Sequence, residues 1–89
     1  MKYPQIDDGE DSARPFRLWD AKAEELLRWR WYKYPRNAHL GALLEARWAK
    51  PGTTIEVIDI RTARLIGQYT RTPTSVQFHQ IKRENDGKE

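Results

Sequence analysis

The sequence predicts a small α+β domain in which an αα-hairpin precedes a three-stranded antiparallel meander, an ααβββ order. Three observations carry that expectation. Apolar residues recur at steps of three and four from Trp19 to Tyr34 and again from Leu40 to Trp48; β-branched residues cluster over residues 53–60; and the stretch from Ser75 to Ile81 alternates in polarity.

In the first expected helix, Trp19, Ala23, Leu26, Leu27, Trp31 and Tyr34 form one stripe, with Asp20 as N-cap. Pro35 lacks an amide and disfavours a helical residue before it, so this helix should end near Lys33. Asn37 is the expected N-cap of the second helix, where Leu40, Leu43, Leu44, Arg47 and Trp48 continue the spacing until Lys50-Pro51-Gly52 stops it. Gly41, Ala42, Ala46 and Ala49 suit close helix packing. Thr53, Thr54, Ile55, Val57, Ile58 and Ile60 then read as a strand, and Leu65 to Thr70 as its return across the tetrapeptide Arg61 to Arg64. Arg71-Thr72-Pro73-Thr74 turns into a third strand, where Val76, Phe78 and Gln80 alternate with Gln77 and His79.

Composition divides the chain into an acidic arm at 1–15, expected to be flexible, one folded domain at 16–81 and a polar, flexible tail at 82–89. A domain this small buries only about 60–65% of its unfolded surface, which leaves room for a homodimer to add burial. The absence of cysteine excludes disulfides, thiolate metal sites and a cysteine nucleophile, and suits a reducing, cytoplasmic setting. No apolar run is long enough for a membrane span, so no membrane partner is expected.

The net charge is +3, from 16 Lys and Arg against 13 Asp and Glu, but it is unevenly spread. Asp7, Asp8, Glu10 and Asp11 sit in the arm, whereas Arg28-Trp29-Arg30-Trp31-Tyr32-Lys33-Tyr34-Pro35-Arg36 interleaves cations and aromatics without one acid. Such a mixture suits nucleic acid, since cations neutralise phosphates and exposed rings stack on unpaired bases at about 1–3 kcal/mol each. On the expected helix Trp31 and Tyr34 join the core, and Arg30 lays its stem over a ring with its head in water. The candidate contact surface is therefore Arg28, Trp29, Tyr32, Lys33 and Arg36, extended by Arg61, Arg64 and Arg71. The same residue types make protein hot spots, so the alternative partner is a protein, with the chain acting as a small inhibitor or adaptor of the phage or mobile-element accessory kind on a host protein.

Catalytic motifs are missing from the sequence. His39 and His79 have no ligand at a metal-binding spacing, and no cofactor loop or nucleophile elbow occurs. Glu56 and Asp59 are the only strand carboxylates, and their odd separation sets them on opposite faces. Helix two offers Ala38, His39, Gly41 and Ala42 at its start, poor readers of base edges for a helix-turn-helix. Two helices followed by a small antiparallel sheet resemble the RelE-like toxin ribonucleases in outline, which would assign RNA positioning to Arg61, Arg64, Tyr69, Arg71 and His79. The sequence departs from that family in lacking its Arg-x-x-Tyr strand pattern and a first strand. The expectation is a non-enzymatic binding protein without metal or cofactor.

Overall fold

The computed structural model of the chain describes Tyr3 and residues 13–80, and for 28–30 and 80 the backbone alone. Among these residues, five strands and one helix follow in the order β1 (Phe16–Asp20), β2 (Glu25–Tyr32), α1 (Pro35–Arg47), β3 (Thr54–Asp59), β4 (Arg64–Arg71) and β5 (Val76–Gln80). The class is α+β, as the composition of segments implied. The arrangement is ββαβββ, with a strand hairpin in place of the expected first helix. Of the expected arm and tail, residues 1, 2, 4–12 and 82–89 lie outside the described residues.

The first hairpin overrides a helical reading for local reasons. Asp20 does not cap a helix: its Oδ1 accepts from the amides of Lys22 and Ala23 at 3.0 and 3.1 Å, which folds an Asx turn. Glu24 completes the reversal at φ +56°. The return strand then carries Arg28-Trp29-Arg30-Trp31, a period-two pattern whose alternate residues, the tryptophans, favour strands. Pro35 likewise changes role. It is the first residue of α1 rather than a terminator, with Tyr34 as the N-cap in an extended conformation and Asn37 inside the first turn.

All neighbouring strands pair antiparallel in the order β2-β1-β3-β4-β5, so β3-β4-β5 is the expected meander. The helix carries the chain from the β2 edge back over one face to β3. It touches all five strands there. Ala38, Ala42 and Ala46, one turn apart and fully buried, let its axis approach Leu18, Ile55, Val57 and Tyr69, with Phe16, Leu27, Tyr32, Ile66 and Val76 around them. This corrects the expected stripe: the alanines face the core, while Leu40, Leu43, Leu44 and Trp48 are exposed.

The far face of the sheet holds a second cluster of Trp19, Ile58 and Ile60, flanked by Leu26, Leu65 and Tyr3. Tyr3 meets Trp19 edge-on at 5.3 Å, and its hydroxyl donates to Glu56 Oε1 at 2.7 Å. Gln68 Nε2 donates to the other oxygen at 2.7 Å, so both oxygens of this buried carboxylate are bonded. Burial, then the hydrogen bond and charge of Glu56, raise the Tyr3 phenol above its ordinary value. No helix among the described residues is long and apolar enough to cross a membrane.

Candidate nucleic-acid interface

The strand register fixes what lies at each end of the sheet. Tyr32 pairs with Phe16, Phe16 with Asp59, and Asp59 with Arg64, a row across four strands spanning about 14 Å at ~4.8 Å per strand. Lys33 follows the first residue of that row and Arg64 is the last. Arg36 lies one residue into α1, which starts at the same end, and Arg61 sits in the loop between β3 and β4. Lys33, Arg36, Arg61 and Arg64 are therefore gathered at one end, all exposed.

Two aromatic rings accompany them. Trp31 is half exposed, with the Arg17 guanidinium stacked over it at 3.9 Å from the ring centroid. Tyr34 is also exposed, with the Lys33 ammonium 5.6 Å from its ring centre. Both were expected in the core. They lie outside it because the strand alternation sends Trp31 to the far face, and because Tyr34 is the cap before α1 rather than the last turn of a helix. A shallow cleft lined by Tyr34, Pro35, Arg36 and Asn37 opens beside them. The N-cap makes no side-chain hydrogen bond and the first turn has no acid, so the positive end of the helix dipole adds to the local potential.

Other expected contact residues have structural roles. Tyr32 is half-buried against the core, its hydroxyl end filling the space above Gly41, so it is not a free contact ring. Arg61 forms a two-point pair with Asp59, Nε to Oδ1 at 3.2 Å and Nη2 to Oδ2 at 3.1 Å, and leans over Phe16. That pairing holds its pKa above the ordinary value, by hydrogen bond first and charge second. Arg71 lies at the opposite end of the sheet, where its guanidinium donates to the carbonyls of Thr72 and Ser75 and closes the β4–β5 turn. Arg28 and Trp29 lie in β2, and like Arg30 are described by their backbone alone. Arg17 had drawn no attention in the sequence, although its alternation with Phe16 and Leu18 was a signal for a strand.

The five residues of the ribonuclease outline do not converge. Tyr69 faces the helix and its hydroxyl is 3.0 Å from His39 Nδ1, His79 is exposed on the far face opposite Gln68, and Arg71 is at the other end from Arg61 and Arg64. His39 is half-buried between helix and sheet, and that burial lowers its pKa from 6.5. Among the described residues, no group of three or more His, Cys, Asp or Glu is placed to hold a metal ion. No protein-family model, curated protein or solved structure matches the chain significantly.

Proposed function

We propose that the chain is a small non-enzymatic binding protein that uses the basic end of its sheet to hold single-stranded nucleic acid. The observation that carries this reading is the register row that gathers Lys33, Arg36, Arg61 and Arg64 beside two exposed rings, Trp31 and Tyr34. Cations gathered at one end can neutralise phosphates, and the rings offer stacking platforms to unpaired bases. Asp59 occupies Arg61 at close range, which leaves Lys33, Arg36 and Arg64 as the principal phosphate contacts.

Three or four phosphate contacts to a single strand give a slope of log K against log salt between about −2.1 and −2.8, so affinity should fall by about 20- to 50-fold from 50 to 200 mM salt. Fluorescence anisotropy of a labelled oligonucleotide measures this directly. The triple variant Lys33→Glu, Arg36→Glu, Arg64→Glu should abolish the salt-dependent component while leaving the melting temperature nearly unchanged, because all three side chains are exposed. Binding that survives the triple variant with an unaltered slope would remove the sheet end from the reading.

A further inference from the structure

The two edges of the sheet are built differently. β2 carries Glu25, Arg28 and Arg30, and its pairing with β1 slips between Arg17 and Trp19, features that discourage a further strand. β5, Val76-Gln77-Phe78-His79-Gln80, has no Lys, Arg, Asp, Glu, Pro or Gly. It pairs with β4 through five consecutive residues without a shift, and among the described residues no strand lies on its other side. The phase of the β4–β5 hairpin fixes which groups face that open side. Thr72 N donates to Ser75 O at 2.8 Å, which makes Thr72 and Ser75 a hydrogen-bonded pair, and with them Thr70–Gln77 and Gln68–His79. Arg71, between two such residues, donates the other way, to Thr53 O at 2.8 Å. Val76, Phe78 and Gln80 therefore direct their N–H and C=O groups away from β4, three donors and three acceptors at the spacing of a strand. The Phe78 ring leans on Tyr69 at 4.9 Å and on His39 at 6.0 Å between centroids, yet stays 48% exposed.

We propose that a second copy of the chain adds its own β5 to this edge, antiparallel, about a two-fold axis that passes through the sheet at Phe78. The edge matches itself best in that register. Phe78 then pairs with Phe78 of the other copy and Val76 with Gln80, so all three outward residues exchange both of their bonds. An axis at Gln77 or at His79 would match only two of the three. On the helix side the uncovered parts of two Phe78 rings meet, a favourable cross-strand pair, and on the far side Gln77 lies opposite His79. The helices do not obstruct this. α1 packs on Leu18, Ile55, Val57 and Tyr69, centred on β3, and from β3 of one copy to β3 of the other is five strand spacings, about 24 Å, against a helix diameter of about 10–12 Å. Six main-chain bonds, at about one per 100–200 Å², correspond to about 600–1,200 Å² of interface, the size of a weak, concentration-dependent pair. Because β2 is unlike β5, the addition closes at two copies instead of propagating. The two basic sheet ends point in opposite directions, and the dimer does not depend on the nucleic-acid reading.

Sedimentation equilibrium of the full chain up to about 1 mM should show a monomer–dimer equilibrium with a dissociation constant of about 0.01–0.5 mM. Amide exchange followed by NMR reads the register. The amides of Val76, Phe78 and Gln80 should slow by about fivefold or more between dilute and concentrated samples, whereas those of Gln77 and His79, already bonded to β4, should change little. Gln80→Pro removes one outward donor, leaves the bonds to β4 in place and should weaken the dimer about tenfold or more. Since the chain has no cysteine, the register can also be trapped. Gln77 of one copy and His79 of the other form a non-hydrogen-bonded pair, with Cα atoms about 4.5 Å apart, a separation that a disulfide spans. Both side chains are exposed, so an equimolar mixture of Gln77→Cys and His79→Cys should fold normally and oxidise to a mixed dimer several-fold faster than either variant alone. That measurement reads the contact even if the proline variant is unstable. A chain that is monomeric to 1 mM overturns the proposal and leaves the edge to a different strand. A dimer in which the three outward amides stay unprotected and the mixed disulfide gains no advantage overturns it as well.

Discussion

Gly67→Ala should destabilise the protein, and the cause should be one side chain. Gly67 sits in β4 opposite Val57, on the helix side, and a Cβ there would fall 2.5 Å from His39 Cε1 and 3.1 Å from Nδ1. His39 supplies the nearest atoms around that position, so the imidazole must leave. Leaving breaks its hydrogen bond to the Tyr69 hydroxyl and its edge contacts with Tyr69 and Phe78 at 5.9 and 6.0 Å. A lost hydrogen bond of about 0.5–1.5 kcal/mol, a further penalty of about 1–3 kcal/mol if the Tyr69 hydroxyl stays buried and unpaired, and weakened ring contacts oppose a gain of about 0.5–1 kcal/mol from removing a strand glycine. The net cost is about 1–3 kcal/mol, or a drop of about 5–15 °C in Tm for a domain of this length. Thermal and denaturant melts of wild type, Gly67→Ala, His39→Ala and the double variant give the coupling. In the His39→Ala background the same substitution should be neutral or stabilising. An equal cost in both backgrounds would refute the account of how α1 seats on the sheet.

Four further outcomes follow from the same contacts. Glu24→Gly relieves a left-handed residue in the β1–β2 turn and should raise stability by about 0.5–1 kcal/mol, whereas in the interior of a helix it would cost about 1 kcal/mol, so the sign of the Tm shift separates hairpin from helix. Leu18→Ala, at a fully buried position, should cost about 2–5 kcal/mol in a urea melt. His39 has a folded-state pKa below the unfolded value of 6.5, so its contribution is complete above that pH and is lost as pH falls through the lowered value, because the unfolded chain takes up the proton first. The stability of wild type relative to His39→Gln should therefore decline on acidification below the mid-six region, and parallel pH curves would reject it. Tyr3→Phe removes the phenol donor to Glu56 and leaves Gln68 alone on that buried carboxylate, so it should cost about 1–3 kcal/mol, measured by denaturant midpoint at neutral pH.

The meander was legible because its strands obey period two and its turns carry their own chemistry: Thr72-Pro73-Thr74-Ser75 closes on Thr72 and Ser75 hydrogen bonds. The first hairpin was hidden by coincidence of spacing. Trp19, Ala23, Leu26 and Leu27 satisfy a helical step, yet Asp20 sends its carboxylate to the next turn and Arg28 to Trp31 alternate strictly, so tertiary pairing with β1 decides the outcome. The second helix was found but its face was inverted, since weighting by side-chain size favoured the leucines over Ala38, Ala42 and Ala46. A helix lying across a flat sheet is held by close approach, and small residues permit it. In the candidate site, Lys33, Arg36, Arg61 and Arg64 were identifiable from charge, but their convergence depends on strand register. The packing of Tyr32 over Gly41 and the turn contacts of Arg71 were not legible, because a sequence does not show which ring supports a helix or which guanidinium closes a turn.

The most direct test of the binding role is to titrate the ¹⁵N-labelled chain with a short single-stranded oligonucleotide and map amide and indole shifts. The account predicts that perturbations concentrate on Trp31, Lys33, Tyr34, Arg36, Arg61 and Arg64 and fade with added salt, leaving Arg71 and the β4–β5 turn unmoved. Shifts centred on Leu40 to Trp48 or on His79 and Gln77 of the far face, or no shifts at low salt, would contradict it.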